Sequence, residues 1–267
     1  MMKNIIKKYP LISYFIIAWI STWILVLPLI LTNFGLLSVD MNWHFLGALG
    51  PTISAIIVVY ITAKKQGLKE LKNTSFKWRI GAFWILFSAL IMPFFLLLAI
   101  LLNFFFTGNF IDLIGYLIDN GISSPLTFFI WIWVGAIAYG LFEEIGWRGY
   151  ALPKLQEKYN SLIATIILTI GWAFWHFPMF LYHFSVDMLF GWLYSLFMGS
   201  IIVTFLFNSS GGSAFATILF HITNNLVWLF NIAELQIYLT IMITIFAFII
   251  LVVWRTRVST RKDILKK

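Results

Sequence analysis

The chain has 267 residues, of which 61% are hydrophobic and only 10% are charged, against about 25% charged in a typical soluble domain. It contains no cysteine, which excludes disulfides, thiolate metal sites and a cysteine nucleophile. The net charge of +8 comes from basic residues in a few segments outside the apolar runs and does not indicate nucleic-acid binding. These values predict an all-α polytopic membrane protein, with residues 1–267 forming a single integral membrane domain.

Eight apolar runs follow one another along the chain, and a helix of about 20 such residues crosses a bilayer. The first run comes after a basic N-terminus and lacks a small-residue cleavage site, so we predict a retained helix and not a removed signal peptide. The predicted spans lie at 11–31, 44–63, 80–102, 125–145, 161–181, 187–207, 212–230 and 235–254.

The basic residues predict the orientation, because loops rich in Lys and Arg stay in the cytoplasm. All 18 Lys and Arg residues fall at the N-terminus, in the loop 64–79, in the segment 148–158 and in the tail 255–267. Eight spans place these four segments on one side of the membrane. We therefore predict that both termini are cytoplasmic. The Ile-, Asn-, Lys- and Phe-rich composition is typical of an AT-rich bacterium, so we expect the bacterial cytoplasmic membrane.

A cluster of charges interrupts the apolar pattern at the end of the fourth predicted span. Glu143, Glu144 and Arg148 lie in the stretch LFEEIGWRGY. Each charge at membrane depth costs about 2.5–3.5 kcal/mol, so such residues indicate a functional site by default. On a helix Glu144 and Arg148 face each other, whereas Glu143 projects about 100° away. We expect Arg148 to pair with Glu144 and Glu143 to be a general base.

Two histidines in later spans can complete a hydrolytic site. His176, in GWAFWHFP, can orient or deprotonate a water beside Glu143. His221 and Asn225 share one face of the seventh span and can donate hydrogen bonds toward one oxygen, as an oxyanion hole requires. A base, a second base and two donors together describe the attack of water on an amide.

The motifs EExxxR, a histidine about 30 residues later and HxxxN, in this order, resemble those of the CPBP family. This is the CAAX protease and bacteriocin-processing family, also called the Abi family, and it contains the type II CAAX prenyl endopeptidases. The resemblance spans about 120–230, which we take as the catalytic core. The stretch GALGPTISA at 47–55 is also similar to the family's second helix.

The resemblance implies an intramembrane glutamate protease with eight helices that needs no cofactor. Carried over to this chain, the residues that activate water and stabilise the oxyanion are Glu143, His176, His221 and Asn225, with Glu144 and Arg148 in supporting positions. One departure is visible, since the family often has Phe four residues before the second-motif histidine and this chain has Trp172. The implied partners are the lipid bilayer and a membrane-associated substrate: a lipidated peptide, a pheromone or bacteriocin precursor, or a membrane-protein segment.

Other interpretations remain open at this stage. Two Glu and two His can also bind a divalent metal, although no HExxH motif is present. Proteins resembling this family can act as non-catalytic scaffolds or bacteriocin-immunity factors. A transporter would also place charges at depth, but no inverted repeat is visible. Elsewhere, His44 and His183 lie near helix ends and are expected to be hydrogen-bonded interior residues.

The predicted spans place Glu143 and His176 at different depths in the membrane, which poses a geometric problem. A fifth span that begins near Ser161 puts His176 about 22 Å along the helix. Glu143, in contrast, lies only a few residues before the end of the fourth predicted span. Gly146, Gly149 and Pro153 offer places where the chain could break and fold back, which would let Glu143 meet His176.

Overall fold

The structure is a computed structural model and describes residues 2–230 and 232–254. The described part of the chain contains helices and no β-strand. The α-helices are α1 Met2–Lys8, α2 Pro10–Asn33, α3 Leu49–Ser75, α4 Ala82–Thr107, α5 Leu113–Asp119, α6 Pro125–Ile132, α7 Ala138–Gly146, α8 Leu152–Gln156, α9 Ser161–Trp175, α10 Leu189–Ser209, α11 Ala214–Leu229 and α12 Ala233–Trp254.

Seven helical segments within the described residues are long and apolar enough to cross a bilayer. They are Pro10–Asn33, Met41–Ser75, Ala82–Thr107, Pro125–Gln156, Ser161–Leu181, Val186–Ser209 and Ala233–Val253. They overlap seven of the eight predicted spans, which confirms an all-α, multi-pass membrane protein. The remaining predicted span corresponds to α11, an apolar helix of only 16 residues. The count of eight and the cytoplasmic termini stay predictions, and the basic tail 255–267 lies outside the described residues.

The fourth span is one continuous helical segment, Pro125–Gln156, and extends well beyond its predicted end. The predicted break at Gly146, Gly149 and Pro153 is wrong. The helix passes through a π-helical turn, Trp147–Ala151, and continues directly into α8, which contains Pro153. π-Helical turns are rare and often occur at functional sites.

Two glycines of the fourth span allow neighbouring helices to approach it closely. A Cβ atom at Gly140 would lie 2.8 Å from the backbone nitrogen of Ile222, on α11. A Cβ atom at Gly146 would lie 2.5 Å from the carbonyl carbon of Pro51, on α3. Small residues let backbones meet in this way in membranes, where no hydrophobic force drives helices together. The predicted resemblance at 47–55 thus falls on the segment that packs beside the EExxxR motif.

Local signals set the ends of the two helices that carry the histidine motifs. Asn160 caps α9 by accepting a backbone N–H at 2.9 Å, and Ser213 caps α11 in the same way at 3.3 Å. Helix α9 ends at Trp175, just before Phe177-Pro178, because the residue before a proline disfavours helical geometry. His176 therefore lies at the C-terminal cap of α9.

The buried apolar residues form two clusters, and the large side chains that remain exposed point outward as expected for lipid contact. The larger cluster joins α2, α3, the fourth span and α9, and includes the indoles of Trp147, Trp172 and Trp175. The second joins α4, α10, α11 and α12. The candidate site lies beside the first cluster.

Candidate active site

Glu143 projects from α7 into the interior, with only 1% of its surface exposed. Its Oε2 accepts a hydrogen bond from the Nε1–H of Trp147, 3.2 Å away on the next turn. The Nε1–H of Trp172, on α9, donates to the same oxygen. Both donors are neutral, so they hold the carboxylate without pairing its charge. No hydrogen bond from the described residues reaches Oε1 of Glu143.

Glu144 is fully buried and contacts two cationic or potentially cationic groups. Its Oε1 lies 2.6 Å from Nη1 of Arg148 and 2.9 Å from Nδ1 of His221. The contact with Arg148 agrees with the four-residue spacing. The contact with His221 crosses from α7 to α11 and was not predicted. Of these two adjacent carboxylates, Glu144 is therefore ion-paired, and no cation of the described residues pairs with Glu143.

Trp172 lies at the centre of the cluster and contacts residues of all three motifs. Besides its hydrogen bond to Glu143, its ring lies under the guanidinium of Arg148, with Cζ 4.6 Å from the ring centroid. The ring of His221 packs edge-on at 5.6 Å between centroids. The backbone oxygen of Trp172 accepts from Nδ1 of His176 at 2.9 Å.

His176 is nearly buried and surrounded by aromatic rings. Its ring centroid lies 4.5 Å from that of Trp175 and 4.9 Å from that of Trp192. A carbonyl oxygen can only accept, so Nδ1 carries the proton that it donates to the backbone of Trp172. In the neutral ring, Nε2 is then left as the acceptor, which suits a group that orients or deprotonates water.

Asn225 is the one predicted site residue that the structure does not tie to the others. It is half-buried and lies one turn after His221 on α11. Its described hydrogen bond is to its neighbour, with Nδ2 of Asn224 3.5 Å from Oδ1 of Asn225. The other five predicted site residues are brought together around Trp172: Glu143, Glu144, Arg148, His176 and His221. The placement of Asn225 rests on helical spacing.

His44 and His183 meet away from this cluster. Their ring centroids are 4.5 Å apart, and Nδ1 of His44 lies 2.7 Å from the hydroxyl of Tyr182. His44 is half-buried and hydrogen-bonded, in agreement with the prediction for it. His183 is exposed, so the prediction of an interior residue is wrong for His183.

Two tryptophans that are absent from the sequence-predicted site, Trp147 and Trp172, are hydrogen-bond partners of Glu143 in the structure. Trp147 lies four residues after Glu143, the spacing that puts two side chains on one helix face. That signal was available in the sequence. In the sequence, Trp172 is distinguished only as a departure from the family's Phe, and its hydrogen bond to Glu143 depends on how α9 packs against the fourth span.

The arrangement of the acidic and histidine side chains bears on the metal interpretation. Within residues 2–230 and 232–254, no group of three or more His, Asp or Glu side chains is arranged to hold a metal ion. The distances above instead describe a pairing of Glu144 with Arg148 and His221, and of Glu143 with two indoles.

Comparison with known proteins agrees with the motifs. Residues 125–227 match the family model described as type II CAAX prenyl endopeptidase Rce1-like. The chain is 29% identical to CAAX prenyl protease 2 of Methanococcus maripaludis over 190 residues, which cover 67% of this chain and 69% of that protein. It is 27% identical to lysostaphin resistance protein A of Staphylococcus aureus over 154 residues, which cover 54% of this chain but only 35% of that protein. The predicted resemblance is confirmed, and it supports a hydrolase of the cell membrane.

Proposed function

We propose that this chain is a metal-independent intramembrane endopeptidase, because residues 125–227 match the family model of Rce1-like type II CAAX prenyl endopeptidases. It hydrolyses a peptide bond in a membrane-associated substrate with water activated by Glu143 and His176. The observation that supports this most strongly is that one residue, Trp172, contacts side chains of all three motifs through its indole and its backbone oxygen. We place the catalytic core at residues 120–230.

The first step is the activation of water. With Oε2 of Glu143 held by two indoles, Oε1 takes a proton from the water, and Nε2 of His176 accepts a hydrogen bond from its second hydrogen. The water oxygen then bonds to the carbonyl carbon of the substrate. The C–N bond breaks as the proton held by Glu143 passes to the leaving amine. In these steps the negative charge of Glu143 passes to the oxyanion, and no other charge is created.

The second requirement is stabilisation of that oxyanion by His221 and Asn225. Nδ1 of His221 is committed to Glu144, so donation from Nε2 requires the imidazolium form, in which both nitrogens carry protons. Glu144 lies against the ring and can balance that charge. This assigns Glu144 and Arg148 to the support of His221, while the amide of Asn225 supplies the second donor.

The substrate class fits the setting of the site. A buried site inside a helical bundle is reached from the lipid or from the membrane surface, which favours a lipidated peptide, a pheromone or bacteriocin precursor, or a segment of a membrane protein. The test compares the protein termini of cells that carry the wild-type chain with those of cells that carry Glu143→Ala at equal membrane abundance. We expect at least one new terminus in a membrane-associated protein that disappears in the variant.

The same comparison separates an enzyme from a scaffold. If the chain is a scaffold or an immunity factor, the protein termini are identical in the wild-type and Glu143→Ala strains. Deletion of the whole chain still changes the phenotype of the cells in that case. That result would overturn the proposed activity. A peptide that spans the identified cleavage site, incubated with purified protein, then establishes direct cleavage.

A further inference from the structure

Trp172 has an unusual position between two oppositely charged groups. One edge of its ring donates a hydrogen bond to Glu143, and one face lies against the guanidinium of Arg148, 4.6 Å from Cζ to the centroid. All three side chains are buried, Arg148 completely. A single neutral ring thus contacts both a carboxylate and a cation that do not contact each other in the described structure.

Arg148 has donors left over for a second carboxylate, and Glu143 is the residue next to its present partner Glu144. Nη1 of Arg148 binds Glu144, but its Nε and Nη2 are buried and have no hydrogen-bond partner in the described residues. Unpaired donors of a buried cation are costly, and a second carboxylate nearby would satisfy them. A carboxylate bound to arginine in that way has its lone pairs occupied and is a poor acceptor of a proton from water.

We infer that Trp172 is a positioning residue that keeps the two adjacent carboxylates in different roles. Its N–H holds Oε2 of Glu143, which leaves Oε1 for the water. Its ring face holds Arg148 on Glu144. The inference rests on the proposed role of Glu143 as the base, and Trp172 itself does not touch the reacting atoms.

The first test uses two matched Trp→Phe variants and one cleavable peptide. Trp172→Phe keeps an aromatic face for Arg148 but removes the N–H donor to Glu143. Trp19→Phe is the control, because the indole N–H of Trp19, on α2, donates to the backbone oxygen of Gly171 at 2.9 Å. Gly171 lies on α9 next to Trp172, and no described hydrogen bond joins Trp19 to Glu143 or Glu144. The control therefore measures how much the loss of a hydrogen bond to α9 by itself changes kcat and KM.

We expect Trp172→Phe to lower kcat about 10- to 100-fold, the factor that corresponds to one hydrogen bond to a charged group. KM should stay within about twofold, because the contact positions the base and does not bind substrate. Trp19→Phe should leave both constants near the wild-type values. If Trp172→Phe retains the wild-type kcat, or raises only KM, the inference is wrong.

The second test does not depend on activity. The 13 tryptophans give indole N–H signals in protein labelled with ¹⁵N, and single Trp→Phe variants assign those of Trp172, Trp147 and Trp19. Glu143→Gln removes the charge of the acceptor, so the signals of Trp172 and Trp147 should shift and that of Trp19 should not. An unmoved Trp172 signal would overturn the inference whether or not any peptide is cleaved.

The two failures are distinguishable. If Glu143→Gln cleaves peptide as the wild-type protein does, the proposed function is wrong, even when the indole signals shift. If Glu143→Gln is inactive but the Trp172 signal is unmoved, the base assignment stands and the role of Trp172 is wrong.

Discussion

Glu144 and His221 are joined by a hydrogen bond, with Oε1 of the carboxylate 2.9 Å from Nδ1 of the ring. This contact links the EExxxR motif to the HxxxN motif across two helices. It also fixes which ring nitrogen faces away from Glu144, namely Nε2. In the proposed mechanism, the second glutamate of the motif is therefore connected to the oxyanion side of the site, and the first glutamate to the water side.

Glu143→Gln should abolish peptide cleavage and leave thermal stability nearly unchanged. The amide oxygen of Gln can still accept from Trp147 and Trp172, so the packing around residue 143 is preserved. The amide cannot take a proton from water. Cleavage rates and unfolding temperatures of the purified proteins in one detergent check this. Full activity of the variant would remove Glu143 from the role of base.

Glu144→Gln should lower both stability and activity. Removing one partner of a buried charge pair leaves an uncompensated charge, here that of Arg148, at a typical cost of about 3–5 kcal/mol. The matched control is Lys154→Ala, which breaks the exposed pair of Lys154 with Glu157 and should change the free energy of unfolding by at most about 1 kcal/mol. Equal effects of the two variants would mean that the Glu144–Arg148 pair does not stabilise the fold.

Prolonged chelation should leave the cleavage rate intact, and no metal should co-purify in a one-to-one ratio with the protein. The reason is that the proposed water activation uses only Glu143 and His176. Metal content by elemental analysis and activity after dialysis against a chelator check this. Activity that is lost on chelation and restored by one specific divalent ion would favour the metalloprotease alternative.

Asn225→Ala should reduce kcat by about 10²–10³ with little change in KM, because an oxyanion donor acts mainly in the transition state. Asn224→Ala is the matched control, since its side chain projects about 100° away around α11 and should matter much less. Steady-state kinetics on one peptide compare the two. A larger effect at Asn224, or an effect of Asn225→Ala on KM alone, would assign the HxxxN asparagine to substrate binding.

Gly140→Ala should separate α7 from α11 and so weaken the contact of Glu144 with His221. The added Cβ would lie 2.8 Å from the backbone nitrogen of Ile222, which cannot move without its helix. We expect a loss of about 1–3 kcal/mol in stability, as for other overpacked sites, and at least a tenfold loss of activity. Gly199→Ala on α10 is the control, because no atom lies within 4 Å of its Cβ position. It should be neutral or slightly stabilising.

The sequence predicted the features that depend on local patterns. Apolar run length located seven spans, and most of their predicted ends lie within a few residues of the observed ends. The four-residue spacing predicted the pair of Glu144 with Arg148. Prediction from the sequence failed for features that depend on tertiary packing. Gly146 and Gly149 were read as breakpoints, but their missing side chains make room for Pro51 and Ser75 instead.

Two further features of the site had no local signal. The contact of Glu144 with His221 joins residues 77 positions apart, and that of Glu143 with Trp172 joins residues 29 apart. Both depend on the close approach of helices. The π-helical turn Trp147–Ala151 likewise has no distinguishing pattern of residue types, because it differs from an α-helix only in the register of its backbone hydrogen bonds.

The short length of α11 has a consequence for the surrounding lipid. We predict that α11 crosses the membrane, but its 16 residues extend only about 24 Å at 1.5 Å per residue, whereas the hydrocarbon core of a bilayer is about 30 Å thick. Such a mismatch is relieved by local thinning of the bilayer or by entry of water at the helix end. Hydrolysis consumes water, and α11 is the helix that carries His221 and Asn225. We therefore expect the turnover rate to fall as the acyl chains of the host lipid are lengthened, because thicker membranes resist thinning and keep the aqueous phase farther from the reacting bond.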